Sequence, residues 1–126
     1  MHWVVKLIDV YPDFDPENIA MSGYQFPVTL EIFRGRFRKS FEKPIPMVPN
    51  KPEEIVIDLH QVNHVFRKGH RIMVQIQSTW FPLYDRNPQK FVPNIFEAKE
   101  SDFIKAEHRV YTNSKFSTYL ELPIMK

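Results

Sequence analysis

The 126-residue sequence has no cysteine and only three glycines. Without thiols there is no disulfide scaffold, no zinc–thiolate site and no thiol nucleophile. Gly23, Gly35 and Gly69 stand far apart. A G-x-S-x-G nucleophile elbow, a P-loop and a dinucleotide fingerprint each need closely spaced glycines, so all three are absent. Long apolar runs are also missing. Lys6 and Asp9 interrupt the stretch after Met1, which leaves neither the apolar core of a signal peptide nor a membrane span. The chain as given is expected to be soluble, with no membrane partner. Charge of one sign is lacking too. Seventeen Lys+Arg against fifteen Asp+Glu leaves +2, too little for a nucleic-acid footprint.

Hydrophobic residues make up 43% of the chain, and eleven are Phe. That is enough for one domain with a real core. Eleven prolines are spread along the chain, and only 53–81 and 94–122 are long proline-free stretches. Interior proline breaks helices, so long helices are excluded.

The dominant period is two. Tyr24, Phe26, Val28, Leu30 and Ile32 alternate with polar residues and Pro27 over 24–32, as a half-buried strand requires. Arg34, Arg36 and Arg38 continue the same parity, which predicts a bulge or twist near Gly35. The pattern returns at 70–80, with Ile72, Val74, Ile76 and Trp80 on one side. Shorter strands are expected at 3–11, 54–59 and 117–122, and one short helix at about 94–106. Residues 43–52, KPIPMVPNKP, read as an extended crossing between sheets. Many strands, long crossings and little helix predict an all-β, jelly-roll-type sandwich.

Each candidate site has a plain structural alternative. His60, His64 and His70 with Asp58 can be written as a metal set. The alternative is a turn whose rings hydrogen-bond to backbone. His2 and His108 have no suitable sequence neighbours. A triad from Ser78, Ser101, His64 and Asp85 lacks a glycine-flanked turn and an oxyanion hole. No catalytic, metal or cofactor residue is assigned, and no cofactor is expected. The basic run Arg34, Arg36, Arg38 and Lys39 reads as a solvated strand face rather than a phosphate strip. Trp80, Phe81, Tyr84 and Phe91 crowd one loop. Such aromatics either stack on sugars or anchor a protein interface, and Arg86 beside Asp85 and Asn87 favours the interface.

The strings WVVKLIDVYPD at 3–13, FRGRFRKSFEKP at 33–44, FRKGHRIMVQIQSTWFPLYDRNPQ at 66–89 and KAEHRVY at 105–111 together resemble one family. They are similar to the C-terminal jelly roll, galactose-binding-like in type, of the X-Pro dipeptidyl-peptidase and cocaine-esterase group of serine hydrolases. The likeness extends to α-amino-acid ester hydrolases and glutaryl-7-aminocephalosporanic-acid acylases. It implies that residues 1–126 are part of a β-sandwich, incomplete at its N-terminus, belonging to a larger α/β-hydrolase enzyme. The triad and the acidic substrate-recognition cluster of that group lie in its earlier domains, and no position here matches them. Also implied are an α/β-hydrolase catalytic domain as partner, homo-oligomerisation, and a parent that in bacteria is often periplasmic or secreted. The docking loop expected to serve that partner comprises Trp80, Phe81, Pro82, Tyr84, Asp85, Arg86 and Asn87. A free-standing carbohydrate-binding module is the competing expectation.

Overall fold

The structure is a computed structural model that describes residues 1–125. Three strands form one antiparallel sheet: β1 (His2–Val10), β2 (Gln25–Arg34) and β3 (Arg71–Gln77), in the order β2-β1-β3. The only helices among the described residues are single 3-10 turns at Ile19–Met21, Gly35–Phe37, Ile95–Glu97 and Glu100–Asp102. The domain is all-β, as the alternating pattern predicts. None of its helices is long and apolar enough to cross a membrane.

Why these residues form strands follows from where they lie. β1 carries Val4, Val5, Leu7, Ile8 and Val10, β-branched or bulky and apolar on both faces, as a central strand must be. Those five, with Val92, are the buried hydrophobic core among the described residues. Gly69 sits at φ +88° in the turn that enters β3, where a side chain would be strained. Gly35 closes the other end. A Cβ there would lie 3.0 Å from Met47 Sδ and 3.4 Å from Trp3 Nε1, so glycine lets those side chains close over the sheet.

Several local expectations change. The bulge lies within β2, not at Gly35. Leu7 pairs with Thr29 but Ile8 with Pro27, leaving Val28 as the extra residue. One extra residue exchanges faces, so Phe26 falls on the face opposite Leu30 and Ile32. β2 ends at Arg34, and Gly35–Phe37 turns away as a 3-10 helix. Arg36 and Arg38 are therefore not strand residues. Residues 54–59 and 117–122 alternate in sequence but join no ladder, and the helix expected at 94–106 is replaced by two single turns. Alternation shows that a strand can form; a ladder also needs a neighbour with free backbone groups.

Candidate docking surface

The two faces of the sheet differ. Register places Trp3, Val5, Leu7 and Asp9 on one face with Ile72, Val74 and Ile76. This face opens into a cleft of about 2300 Å³, walled opposite by the extended segments 45–66 and 104–125. Ile72, Val74 and Ile76 remain 53%, 41% and 38% exposed. The accessible surface of the whole chain is 10198 Å², against roughly 7,000 Å² for a compact monomer of this size. The excess, roughly 3,000 Å², is spread over the sheet face and the long irregular segments and is larger than the ~800 Å² that each partner buries in an ordinary complex.

The aromatic loop lies at the end of β3. Phe81 and Leu83 are mostly exposed, and Tyr84 is partly so. The Phe81–Pro82 peptide is cis. Trp80 packs beside Tyr84, ring centroids 6.0 Å apart, and Lys6 Nζ lies 4.3 Å over the Trp80 ring. Asn87 Nδ2 donates to the Ser78 carbonyl at 2.8 Å, while Asn87 Oδ1 accepts from Gln89 N at 3.1 Å. Asp85 faces Arg34 at 3.8 Å. Arg86 stacks on Phe103 at 4.5 Å. The loop thus divides its labour. Asn87 and Arg86 fasten it from within, and Phe81, Leu83 and Tyr84 point their apolar area outward.

At the far end of the cleft, Asp9 is 1% exposed. Its Oδ2 lies 2.8 Å from His64 Nε2 and its Oδ1 2.8 Å from His70 Nδ1. His70 also packs on Tyr11, and His64 on Phe26 and Phe66. His60 is bound elsewhere, 2.6 Å from Glu31 Oε2. The three histidine rings therefore bond to carboxylates rather than to backbone; His64 and His70 meet on Asp9, while His60 lies apart on Glu31. Among the described residues no group of three His, Asp or Glu could hold a metal. His64 is engaged by Asp9 and Asp85 by Arg34, so those two members of the written triad are occupied apart from each other.

The basic run is solvated only in part: Lys39 is exposed and the Arg34 side chain is 41% so, whereas Arg38 is not. Arg38 is nearly buried, with Nε 2.7 Å from Glu53 Oε2 and Nη1 bonded to the Gly35 and Ile45 carbonyls. It pins the 43–53 crossing to the sheet. His108 stacks on Trp3 and bonds to Gln89 Oε1 at 3.1 Å, and burial lowers its pKa. His2 is 7% exposed. Its pKa is pushed from 6.5 down to about 4, first by burial, then by the Met1 amino group, Arg34 and Arg36.

Comparison with known proteins places these observations. The sequence model of the X-Pro dipeptidyl-peptidase C-terminal non-catalytic domain matches residues 1–121. The chain belongs to that family. It is 32% identical over 124 residues to a cocaine esterase from Rhodococcus sp. (strain MB1 Bresler), covering 98% of this chain but 20% of the esterase. An α-amino acid ester hydrolase structure superposes with a TM-score of 0.78 at 56% identity, over 82% of this chain and 17% of that one. An aminopeptidase from a marine sediment Thaumarchaeota archaeon gives 0.77 at 57% identity, over 81% and 17%. The chain thus spans about a fifth of the length of these relatives, and the part it matches is a non-catalytic C-terminal domain of larger hydrolases.

Proposed function

We propose that this chain serves as the packing module of a serine ester or amide hydrolase, with an α/β-hydrolase catalytic domain as its partner. The observation that carries this reading is the roughly 3,000 Å² of surface beyond that of a compact monomer of this size, much of it apolar. In this reading residues 1–126 are one part of a β-sandwich. The Ile72–Val74–Ile76 face takes further cover from the rest of the parent, and the 80–87 loop docks on the catalytic domain. Phe81, Leu83 and Tyr84 supply the buried area.

The test is co-expression with the catalytic portion of an α-amino-acid ester hydrolase. Co-purification, with ester turnover residing in the larger piece, is expected. Replacing Phe81 and Leu83 with Ser should lower the recovered complex about tenfold. Equal recovery would remove the loop from the interface. The chain alone, given an activated ester and a serine-directed phosphonate, should show neither turnover nor labelling.

Self-association belongs to the same proposal, because the uncovered face and β3 edge can also be met by a second copy. Sedimentation showing a folded monomer at micromolar concentration would remove it. The carbohydrate-binding alternative is disfavoured by Lys6, which occupies a face of the Trp80 ring that a sugar would need. A change in tryptophan fluorescence on adding polysaccharide would revive it.

A further inference from the structure

A cavity of about 200 Å³ opens where the start of β1 meets the turn after β2 and the 87–96 segment. Its wall carries His2, Arg34, Arg36, Lys90, Asn87 and Asn94. Two of the three basic side chains already have counter-charges. Lys90 Nζ is 2.7 Å from Asp102, and Arg34 faces Asp85 at 3.8 Å. Arg36 has no ion-pair partner among the described residues. It stacks over Phe91 at 4.5 Å and donates to the Val92 carbonyl and, at 3.4 Å, to that of Pro93. A guanidinium has five N–H donors in a planar fork. Arg36 is therefore held in place with donors to spare.

His2 is a second, independent sign. Its buried Nδ1 has no hydrogen-bond partner, which a buried polar group ordinarily avoids. Burial and the neighbouring Arg34 lower the pKa of Arg36, which lines the cavity without a counter-anion among the described residues.

We propose that this cavity binds a small, singly charged oxyanion of the carboxylate class, gripped by the free donors of Arg36 and flanked by Arg34, Lys90 and His2. The pairing of Arg34 and Lys90 sets the charge, since little uncompensated charge is left for a dianion such as phosphate. The volume, about 200 Å³, admits a group of acetate or propionate size.

The test is an NMR titration of the full chain at constant ionic strength, following the His2 ring and the Arg36 side-chain N–H signals. Acetate is the first probe, with chloride and inorganic phosphate as comparison arms. Acetate should give saturable shifts. Arg36→Gln should weaken acetate binding about tenfold or more. Arg71→Gln should leave it unchanged, because that side chain sits at the opposite end of the sheet beside Asp13. Should Arg36→Gln unfold, Arg34→Gln provides the same comparison with a smaller loss. Shifts that never saturate, or that chloride reproduces, or that persist in the arginine variants, would overturn the site. Tighter binding of phosphate than of acetate would overturn the assignment to a monoanion.

Discussion

β1 and β3 are both apolar strands of one sheet, yet they meet different fates. β1 lies between two neighbours and holds five of the six core hydrophobics, with Leu7 2% exposed. β3 has one neighbour, and Ile72, Val74 and Ile76 stay more exposed than any of the β1 core residues. Composition does not separate the two; cover does. Position in the sheet decides how much an apolar side chain contributes to stability, and β3 in isolation is a strand whose stabilising contacts have yet to be made.

Four measurements can break or sharpen that contrast. Among the largest effects should be that of Asp9→Ala, which strips both histidines of their shared acceptor inside the sheet. Denaturant unfolding should show a loss of about 2–4 kcal/mol, because two side-chain hydrogen bonds to a buried carboxylate are lost and a buried histidine is left without an acceptor. A loss below about 1 kcal/mol would mean that the Asp9 clasp is an ornament on the β1 core. Next, Leu7→Ala should cost about 2–5 kcal/mol, while Ile76→Ala, already part-exposed, should cost under about 1 kcal/mol in the isolated chain. If the catalytic portion covers β3, the Ile76 cost should climb towards that of Leu7 in the complex. Equal costs with and without the partner would show that β3 is never covered.

The third measurement is pH dependence. His2 in the folded chain titrates near 4 instead of 6.5, so the unfolded chain takes up that proton first. Its contribution is intact above about pH 6.5 and is lost as pH falls towards 4, by up to roughly 3 kcal/mol. His2→Gln should flatten that slope; a slope unaltered by the substitution would assign it to other groups. The smallest effect is Arg86→Ala, which removes a stack on Phe103. About 0.5–1 kcal/mol of chain stability should go, with the loop's outward aromatics, and so the docking, only mildly affected. A large fall in complex recovery without a change in stability would place Arg86 at the interface itself.

The three strands and the all-β class were legible because hydrophobic alternation is a local property. The Val28 bulge was not, since parity along one strand cannot report the register of its neighbour. Asp9 reads in sequence as an interruption of an apolar run. Its meaning depends on His64 and His70, which lie 55 and 61 positions away. Arg36 and Arg38 misled for a related reason. The strand rhythm runs on through Gly35 in the sequence, but the chain turns there. For the aromatic loop, the sequence shows that Phe81 and Tyr84 are clustered, whereas which side chains fasten and which face outward is decided by Ser78, Gln89 and Phe103.

The central place of β1 has a consequence for biosynthesis. β1, the strand that needs two neighbours, leaves the ribosome before either of them. β2 follows closely, but β3 begins only 37 positions after β2 ends (Arg34 to Arg71), a few seconds at ordinary elongation rates. Throughout that interval one long edge of the nascent hairpin stays open, a pairing template for any passing extended chain. Slow codons placed between the hairpin and β3 would lengthen that exposure and should lower the recovery of soluble protein.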